Sequence, residues 1–323
     1  IQSDGFTADL GYTPATAITE VFGTTVPFDG VTYVPLTDLR TALHYLDADT
    51  SKTKLVGTDN ASNNMVNSVT FGLTADHAEK VKDYKGIFIA NNAGEADFTA
   101  YAYYVPNGDK YDIYVLADDW KIYAPANCSQ LFIGMSALTE VDTSNLDVSQ
   151  TTSMYRMFFK CQSLTTLEVG NWFAKGTDEE VVLQQAFYDC KALKNLDVSN
   201  WIIKTNESLK ETFKNCSSLS GKLDLTGWDV SGITSMQYTF SGCTGLTEID
   251  VSNWNVGNVS DFSYMFENCY SLNKLDVANW DVSSATSFHG MFRYCISLKE
   301  IELSEWNVEK LSSALGMFVG CGS

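Results

Sequence analysis

Leu272-Asn273-Lys274-Leu275-Asp276-Val277-Ala278-Asn279-Trp280-Asp281-Val282, followed by Phe288-x-x-Met291-Phe292-x-x-Cys295, is one unit of an internal repeat. The preceding unit carries Leu246, Ile249, Val251, Trp254, Val256, Phe262, Met265, Phe266 and Cys269 at the same places. Outward in both directions the unit recurs, with phenylalanines at 132, 158, 187, 213, 240, 266, 292 and 318 and a dominant period of 26 residues. A period of about 20–50 residues marks an array of stacked supersecondary units. A unit this short cannot bury its own apolar side chains, so neighbours must bury them, and stability becomes roughly a sum of nearest-neighbour terms.

Within a unit, Leu-x-x-Leu-x-Val fits a short strand whose alternate residues face inward. Stacked copies would form a parallel sheet. After Trp280-Asp281-Val282 the chain turns. Thr286-Ser287 then predicts the cap of a one- to two-turn helix with Phe288, Met291, Phe292 and Cys295 on one face. Trp172, Trp201, Trp228, Trp254, Trp280 and Trp306 form a column expected in the core, with indole N–H groups bonded to loop carbonyls. Cys161, Cys190, Cys216, Cys243, Cys269, Cys295 and Cys321 hold one repeat position, which predicts a buried ladder of reduced thiols. One cysteine per unit matches neither a C-x-x-C metal site nor a disulfide framework.

The polar column is the candidate for function. Asp142, Glu168, Asp197, Asp224, Asp250, Asp276 and Glu302 lie between two inward strand residues, so alternation points them outward. Like charges on neighbouring strands repel, which calls for an offset from Ser, Thr or Lys neighbours, from water, or from weakly bound calcium, an ion that takes oxygen ligands. An even ladder lacks the clustered geometry of a dedicated calcium site, so no cofactor is expected. Lys222, Glu248, Lys274 and Glu300 flank the column and complete the candidate binding face. Two units break the period. One gains three residues around 175–180, a candidate binding loop with Lys175, Asp178, Glu179 and Glu180. Another gains one residue near Ser220-Gly221-Lys222. His289 falls on an exposed polar position and takes no special role.

Leu196-Asp197-Val198-Ser199-Asn200-Trp201, Ile249-Asp250-Val251-Ser252-Asn253-Trp254 and Ser263-Tyr264-Met265-Phe266-Glu267-Asn268-Cys269 resemble the BspA-like surface leucine-rich-repeat proteins of bacteria. The resemblance covers residues 126–323. It implies a leucine-rich-repeat solenoid in a cell-surface or secreted adhesion protein, and it carries no catalytic residues to transfer.

Composition agrees with a folded chain: 45% hydrophobic and 19% charged residues. Forty acids against 21 bases give a net charge of −19, a field that repels nucleic acid and anionic membranes. No apolar run approaches the ~20 residues that span a bilayer. All eight cysteines follow residue 127 and all five prolines lie at or before residue 125, which places a domain boundary near 125. Residues 1–125 read as a small α+β domain with a mostly antiparallel sheet. A helix is expected to start at Thr37-Asp38, a strand over 68–73 and a helix over 75–84, and 86–90 is a short apolar run. A hairpin over 97–105 and 110–116 is expected to turn at Asn107-Gly108. His44 and His77 stand apart from any catalytic partner.

The sequence therefore predicts a non-enzymatic surface protein that binds a host or cell-surface protein or a glycan. The alternative is a virion-associated receptor-binding or structural protein, from the faint likeness of Leu10-Gly11-Tyr12-Thr13-Pro14 to phage tail-fibre segments. A hydrolase with its site in the first domain is a third class, against which the lack of any nucleophile motif or phosphate loop argues.

Overall fold

In a computed structural model, the described residues are 32–35, 65–84, 86–90, 99–118, 122–174, 176 and 179–322. The helix expected at Thr37, the residue His44, the segment 10–14 and the loop residues Lys175 and Asp178 lie outside them. The chain divides into two compact units: Ile1–Pro125 with Gly134–Gln150, and Ala126–Ile133 with Thr151–Ser323. A segment from the start of the repeat, Gly134–Gln150, is thus part of the first unit.

The first unit contains β1 (Thr32–Pro35), β2 (Val66–Leu73), α1 (Thr74–Val81), β3 (Ile87–Ala90), β4 (Thr99–Asn107), β5 (Lys110–Ala117), β6 (Ile122–Tyr123), β7 (Glu140–Asp142) and β8 (Leu146–Asp147). Its main sheet runs β1-β3-β4-β5-β2-β7. The sheet is mixed, and this corrects the expectation of a mostly antiparallel one. β3–β4 and β4–β5 are antiparallel, whereas β1–β3, β2–β5 and β2–β7 are parallel. Parallel partners are joined by crossovers instead of tight turns, so only the β4–β5 hairpin left a local signal.

In that hairpin Asn107 pairs with Lys110, so Gly108-Asp109 fills the loop and Asn107 ends the strand. Gly108 takes φ +66°, a conformation open to glycine. The Asp112 carboxylate closes this corner, accepting from Asn67 Nδ2 at 2.8 Å, Ser68 Oγ at 2.7 Å and Asn107 Nδ2 at 3.0 Å. Val69, Phe71, Ile113 and Val115 alternate into the core and are fully buried. Helix α1 lies close to β2 because Gly72 has no side chain there; a Cβ would come within 2.6 Å of His77 Nε2. His77 rests 5.5 Å from the Tyr114 ring.

The second unit contains β9 (Thr166–Leu167), β10 (Ile203–Ser208), β11 (Ser220–Asp224), β12 (Trp228–Ser235) and β13 (Gly245–Asp250). β10 pairs with β12 and β11 with β13, both parallel. Further parallel bridges join Asn127 to Ser153, Ser153 to Val182, Ser235 to Asp261, Asp261 to Ser287 and Ser287 to Ser313. The extra residue near 220 is absorbed as a bulge, with a register shift between Gly221 and Lys222 and Gly221 at φ +78°.

The expected repeat helix is absent; among the described residues α1 is the single helix. The segment 262–272 is a run of linked β-turns. Met265, Glu267, Cys269 and Leu272 donate to the carbonyls of Phe262, Tyr264, Phe266 and Cys269 at 3.1–3.2 Å. The alternate N–H groups of Phe262, Tyr264, Phe266 and Asn268 donate to Ser287, His289, Met291 and Arg293 in the next unit. Backbone hydrogen bonds are therefore split, half closing turns and half holding neighbours, and no helical ladder remains to be made.

This path places two left-handed residues per unit, four apart: Arg156 and Lys160, Gln185 and Asp189, Glu211 and Asn215, Tyr264 and Asn268. Isolated non-glycine residues in that region carry a cost of about 1–3 kcal/mol and persist where surroundings over-determine them. Here the bonds to the next unit do so. Aligned units put identical rings face to face. Phe187–Phe213, Phe213–Phe240, Phe240–Phe266 and Phe266–Phe292 stack at 5.4–5.6 Å with planes within 7°. Trp254–Trp280 and Trp280–Trp306 follow at 6.5 and 6.4 Å.

Candidate functional site

The outward carboxylates have a local structural task. Asp197 Oδ1 accepts Ser199 N–H and Oγ–H, Asp224 Oδ1 accepts both groups of Thr226, and Asp250 Oδ1 accepts Ser252 Oγ–H. Asp276 accepts Ala278 N–H and Glu302 accepts Ser304 N–H. In the first unit Asp142 accepts Ser144 N–H. A side-chain oxygen bonded to the backbone two residues on is an Asx-type turn. After Asp197, Asp224, Asp250, Asp276 and Glu302 it bends the chain just before the buried Trp. A second column does the same after the Trp: Asp229 to Ser231, Asn255 to Gly257, Asp281 to Ser283 and Asn307 to Glu309. The Asp-x-Ser spacing carried that signal in the sequence.

Cations offset part of the column's repulsion. Lys222 Nζ lies 2.8 Å from Asp250, 3.3 Å from Asp224 and 3.8 Å from Glu248, and Lys274 lies 2.8 Å from Glu248. The hydrogen bond from Lys222 holds Asp250 below the ordinary carboxylate range. Burial pushes Asp224 up, but bonds from Thr226 and Lys222 outweigh it and leave it lowered. Beside the Gly221 bulge is a shallow groove of about 270 Å³ lined by Asn195, Asp197, Ser199, Ser220, Lys222 and Asp224. The structure thus brings Lys222, Asp224, Glu248, Asp250 and Lys274 together. Glu168 and Glu300 stand exposed. Of the candidate loop, Glu179 is exposed and Glu180 pairs with Lys204 at 3.3 Å. Among the described residues no group of three or more His, Cys, Asp or Glu side chains is arranged to hold a metal.

The inner columns are closed. Each ladder thiol donates to the carbonyl of the ladder Phe in the preceding unit, as Cys269 to Phe240 at 3.2 Å and Cys295 to Phe266 at 3.1 Å. All eight cysteines are free thiols. Burial pushes the Cys128 thiol up to about 11 and Cys295 to about 12, and raises Cys190, Cys216, Cys243 and Cys269 well above their usual value. Thiolate chemistry is therefore suppressed. The indole N–H of Trp201, Trp254, Trp280 and Trp306 reaches Val169, Leu225, Val251 and Val277 carbonyls at 2.9–3.2 Å. Trp172 and Trp228 are buried with no partner for theirs.

The surface that sequence reasoning missed is the turn side. Positions assigned there to an exposed helix face lie on the linked turns, and their side chains interlock across units. Arg156 donates to Gln185, Gln185 to Glu211 at 2.6 Å, and Lys214 bonds Glu211 at 2.7 Å. Lys214 sits 3.9 Å over the Tyr238 ring. Tyr238 stacks on Tyr264 at 4.8 Å, whose hydroxyl meets His289 Nε2 at 2.9 Å. A second chain links Gln162, Asp189 and Asn215 at 2.6 and 3.2 Å. Burial works to raise Glu211, and bonds from Lys214 and Gln185 overcome it and lower it. His289, expected to be unremarkable, is a member of this network.

No curated protein and no solved structure matches the chain. The family model that does match is not a leucine-rich-repeat one, so the resemblance to the BspA-like leucine-rich-repeat proteins is corrected, and the cell-surface setting it implied loses that support. Asp-x-Ser before a Trp serves turn geometry here, and short motifs of that kind carried the resemblance. The matches cover residues 112–225 and 207–323, well over half of the sequence, and the chain belongs to the family described as Mycoplasma protein of unknown function, DUF285.

Proposed function

We propose that the chain is a non-enzymatic binding protein whose stacked units form a solenoid and whose turn side meets a protein partner. One observation supports this above the others. Inward positions repeat the same residue from unit to unit, whereas one turn-side position reads Ser129, Tyr155, Gln184, Lys210, Gln237, Ser263, His289 and Leu315. These side chains are half-buried or exposed apart from the buried Ser263, and a regular frame with a varied surface is the arrangement used by repeat proteins that bind other proteins. Aromatic rings and Arg, the residue types enriched at interface centres, occur on this side as Tyr155, Arg156, Phe159, Tyr188, Tyr238, Tyr264 and Arg293.

The strand side is the lesser candidate, since most of its carboxylates are engaged in turns and ion pairs. The test is a binding screen against arrayed proteins and glycans with three forms: wild type, Tyr238→Ser with Tyr264→Ser, and Asp276→Asn. Loss of the captured protein with the tyrosine variant alone is expected. Capture that depends on Asp276 and ignores both tyrosines would overturn the assignment.

A further inference from the structure

The turn side of the units between Tyr155 and Lys214 differs in charge from the rest of the molecule. On a chain of net charge −19 it gathers Arg156, Lys160, Lys191, Lys210 and Lys214. Two acids lie among them, and both are engaged. Asp189 accepts from Gln162 and Asn215 and pairs with Lys191 at 3.3 Å. Glu211 is held by Gln185 and Lys214. Lys210 acts on Glu211 together with Lys214, whereas Arg156 and Lys160 have no ion pair with a carboxylate among the described residues.

Arg156 is also pre-positioned. Its guanidinium lies 5.0 Å from the Tyr155 ring and 5.0 Å from the Phe159 ring. Its Nε donates to Gln185, which leaves the two terminal amino groups to a ligand. A planar guanidinium fixed in this way suits a carboxylate bound through two parallel hydrogen bonds. Lys160 lies 5.4 Å from the same Phe159 ring, so two cations share one aromatic base.

We propose that this patch binds a short, acidic, extended polypeptide segment of a partner protein, with Arg156 and Lys160 taking its carboxylates. The inference rests on the binding role assigned above and names its partner's chemistry. Two features select a peptide over other anions. The ring faces are occupied: Phe159 stacks on Tyr188 at 4.7 Å and carries the two cations, and Lys214 covers Tyr238, so a sugar has no open ring to lie on. A long uniform polyanion would run beyond the patch onto acidic surface and be repelled. A short segment needs only the patch.

The test is fluorescence anisotropy of a labelled octapeptide of alternating Glu and Ala on the whole chain at low ionic strength, with a sulfated oligosaccharide and single-stranded DNA as further arms. Binding by the wild type is expected, weakened about tenfold or more by Arg156→Gln with Lys160→Gln and also by added salt, as for exposed charge-assisted contacts. Lys299→Gln should bind like wild type. Lys160→Glu, one change at an exposed side chain, gives the same direction if the double variant folds poorly. No peptide binding, equal binding by wild type and Lys160→Glu, or tighter binding of the sulfated sugar or DNA would overturn the inference. A protein captured in the screen through Tyr238 and Tyr264, with no dependence on Arg156, Lys160 or salt, would leave the binding role standing while sinking this one.

Discussion

The thiol of Cys295 donates to the carbonyl oxygen of Phe266 at 3.1 Å, and that oxygen also accepts the backbone N–H of Cys269. Both lone pairs of a buried carbonyl are thereby used, which gives the cysteine a role that a plain hydrophobe of its size lacks. Cys295→Ala should cost about 1–2 kcal/mol in urea unfolding, from a lost hydrogen bond and a small void. An unchanged unfolding midpoint would show the S–H bond to be idle.

Thiol reactivity separates the two ends of the same ladder. Cys321 is partly exposed, while the other seven thiols are buried. At mildly alkaline pH a thiol reagent should label Cys321 first in the native protein, since it is partly exposed although burial raises its thiol as well, and the buried seven only on unfolding. Prompt labelling of several thiols in the folded chain would contradict the closed interior.

Trp254 and Trp228 make a matched pair. Both are buried, but Trp254 Nε1 reaches the Leu225 carbonyl at 3.1 Å and Trp228 Nε1 has no partner. Trp254→Phe should therefore be more destabilising than Trp228→Phe by about 1 kcal/mol, the net worth of one buried hydrogen bond. Trp254→Ala should cost roughly 3–5 kcal/mol. Equal losses in the two Phe variants, measured by denaturant melts, would remove any energetic role for the indole bond.

Gly290 takes φ +58°, and a Cβ there would fall 2.6 Å from the Tyr264 ring. Gly316 has φ +68°, but its nearest neighbour to a Cβ is Val319 at 3.7 Å. Gly316→Ala thus adds backbone strain alone, about 1 kcal/mol, and Gly290→Ala adds ring displacement for a total of roughly 2–3 kcal/mol. Thermal melts should rank them in that order.

Acid should loosen the strand side. Asp250 and Asp224 are lowered in the folded state from an ordinary 3.8. A depressed carboxylate contributes stability above its unfolded value and loses it as pH falls through the folded value. The loss should set in as pH drops below 3.8. Lys222→Gln should lower stability at neutral pH, with the gap from wild type closing toward strong acid. A gap that stays constant with pH would assign the lysine's effect to packing.

The inner columns were legible because burial admits few residue types, so Phe, Trp and Cys recur visibly at one period. The turn path was not. Phe288, Met291, Phe292 and Cys295 have the spacing of one helix face, and linked turns bring the same four positions inward. The deciding feature, left-handed backbone at Tyr264 and Tyr294, is imposed by bonds to the neighbouring unit, which no local residue choice announces. Asn215, Asn268 and Asp189 at the second such position were a partial sign, since Asn and Asp tolerate that region. The strand-face residues were placed correctly outward. Their turn-forming role was encoded in the Asp-x-Ser spacing. The turn-side network escaped because its members are unremarkable singly and meet only when units stack.

The backbone bonds from the ladder phenylalanines run one way: Phe240 donates to Met265, Phe266 to Met291, and Phe292 to Met317. Every unit therefore donates to its follower through the same N–H positions whose counterparts in its predecessor donate to its own carbonyls. Such a stack has a direction, like a row of plugs and sockets, and any internal unit can be copied or cut out at equivalent points. Removing residues 261–286 joins Ser260 to Ser287 and presents Met236 and Tyr238 with Ser287 and His289 as acceptors, in place of Asp261 and Ser263. A chain shortened in this way should keep its turn-to-turn bonding, so that unit number and surface pattern change without redesign of the interior.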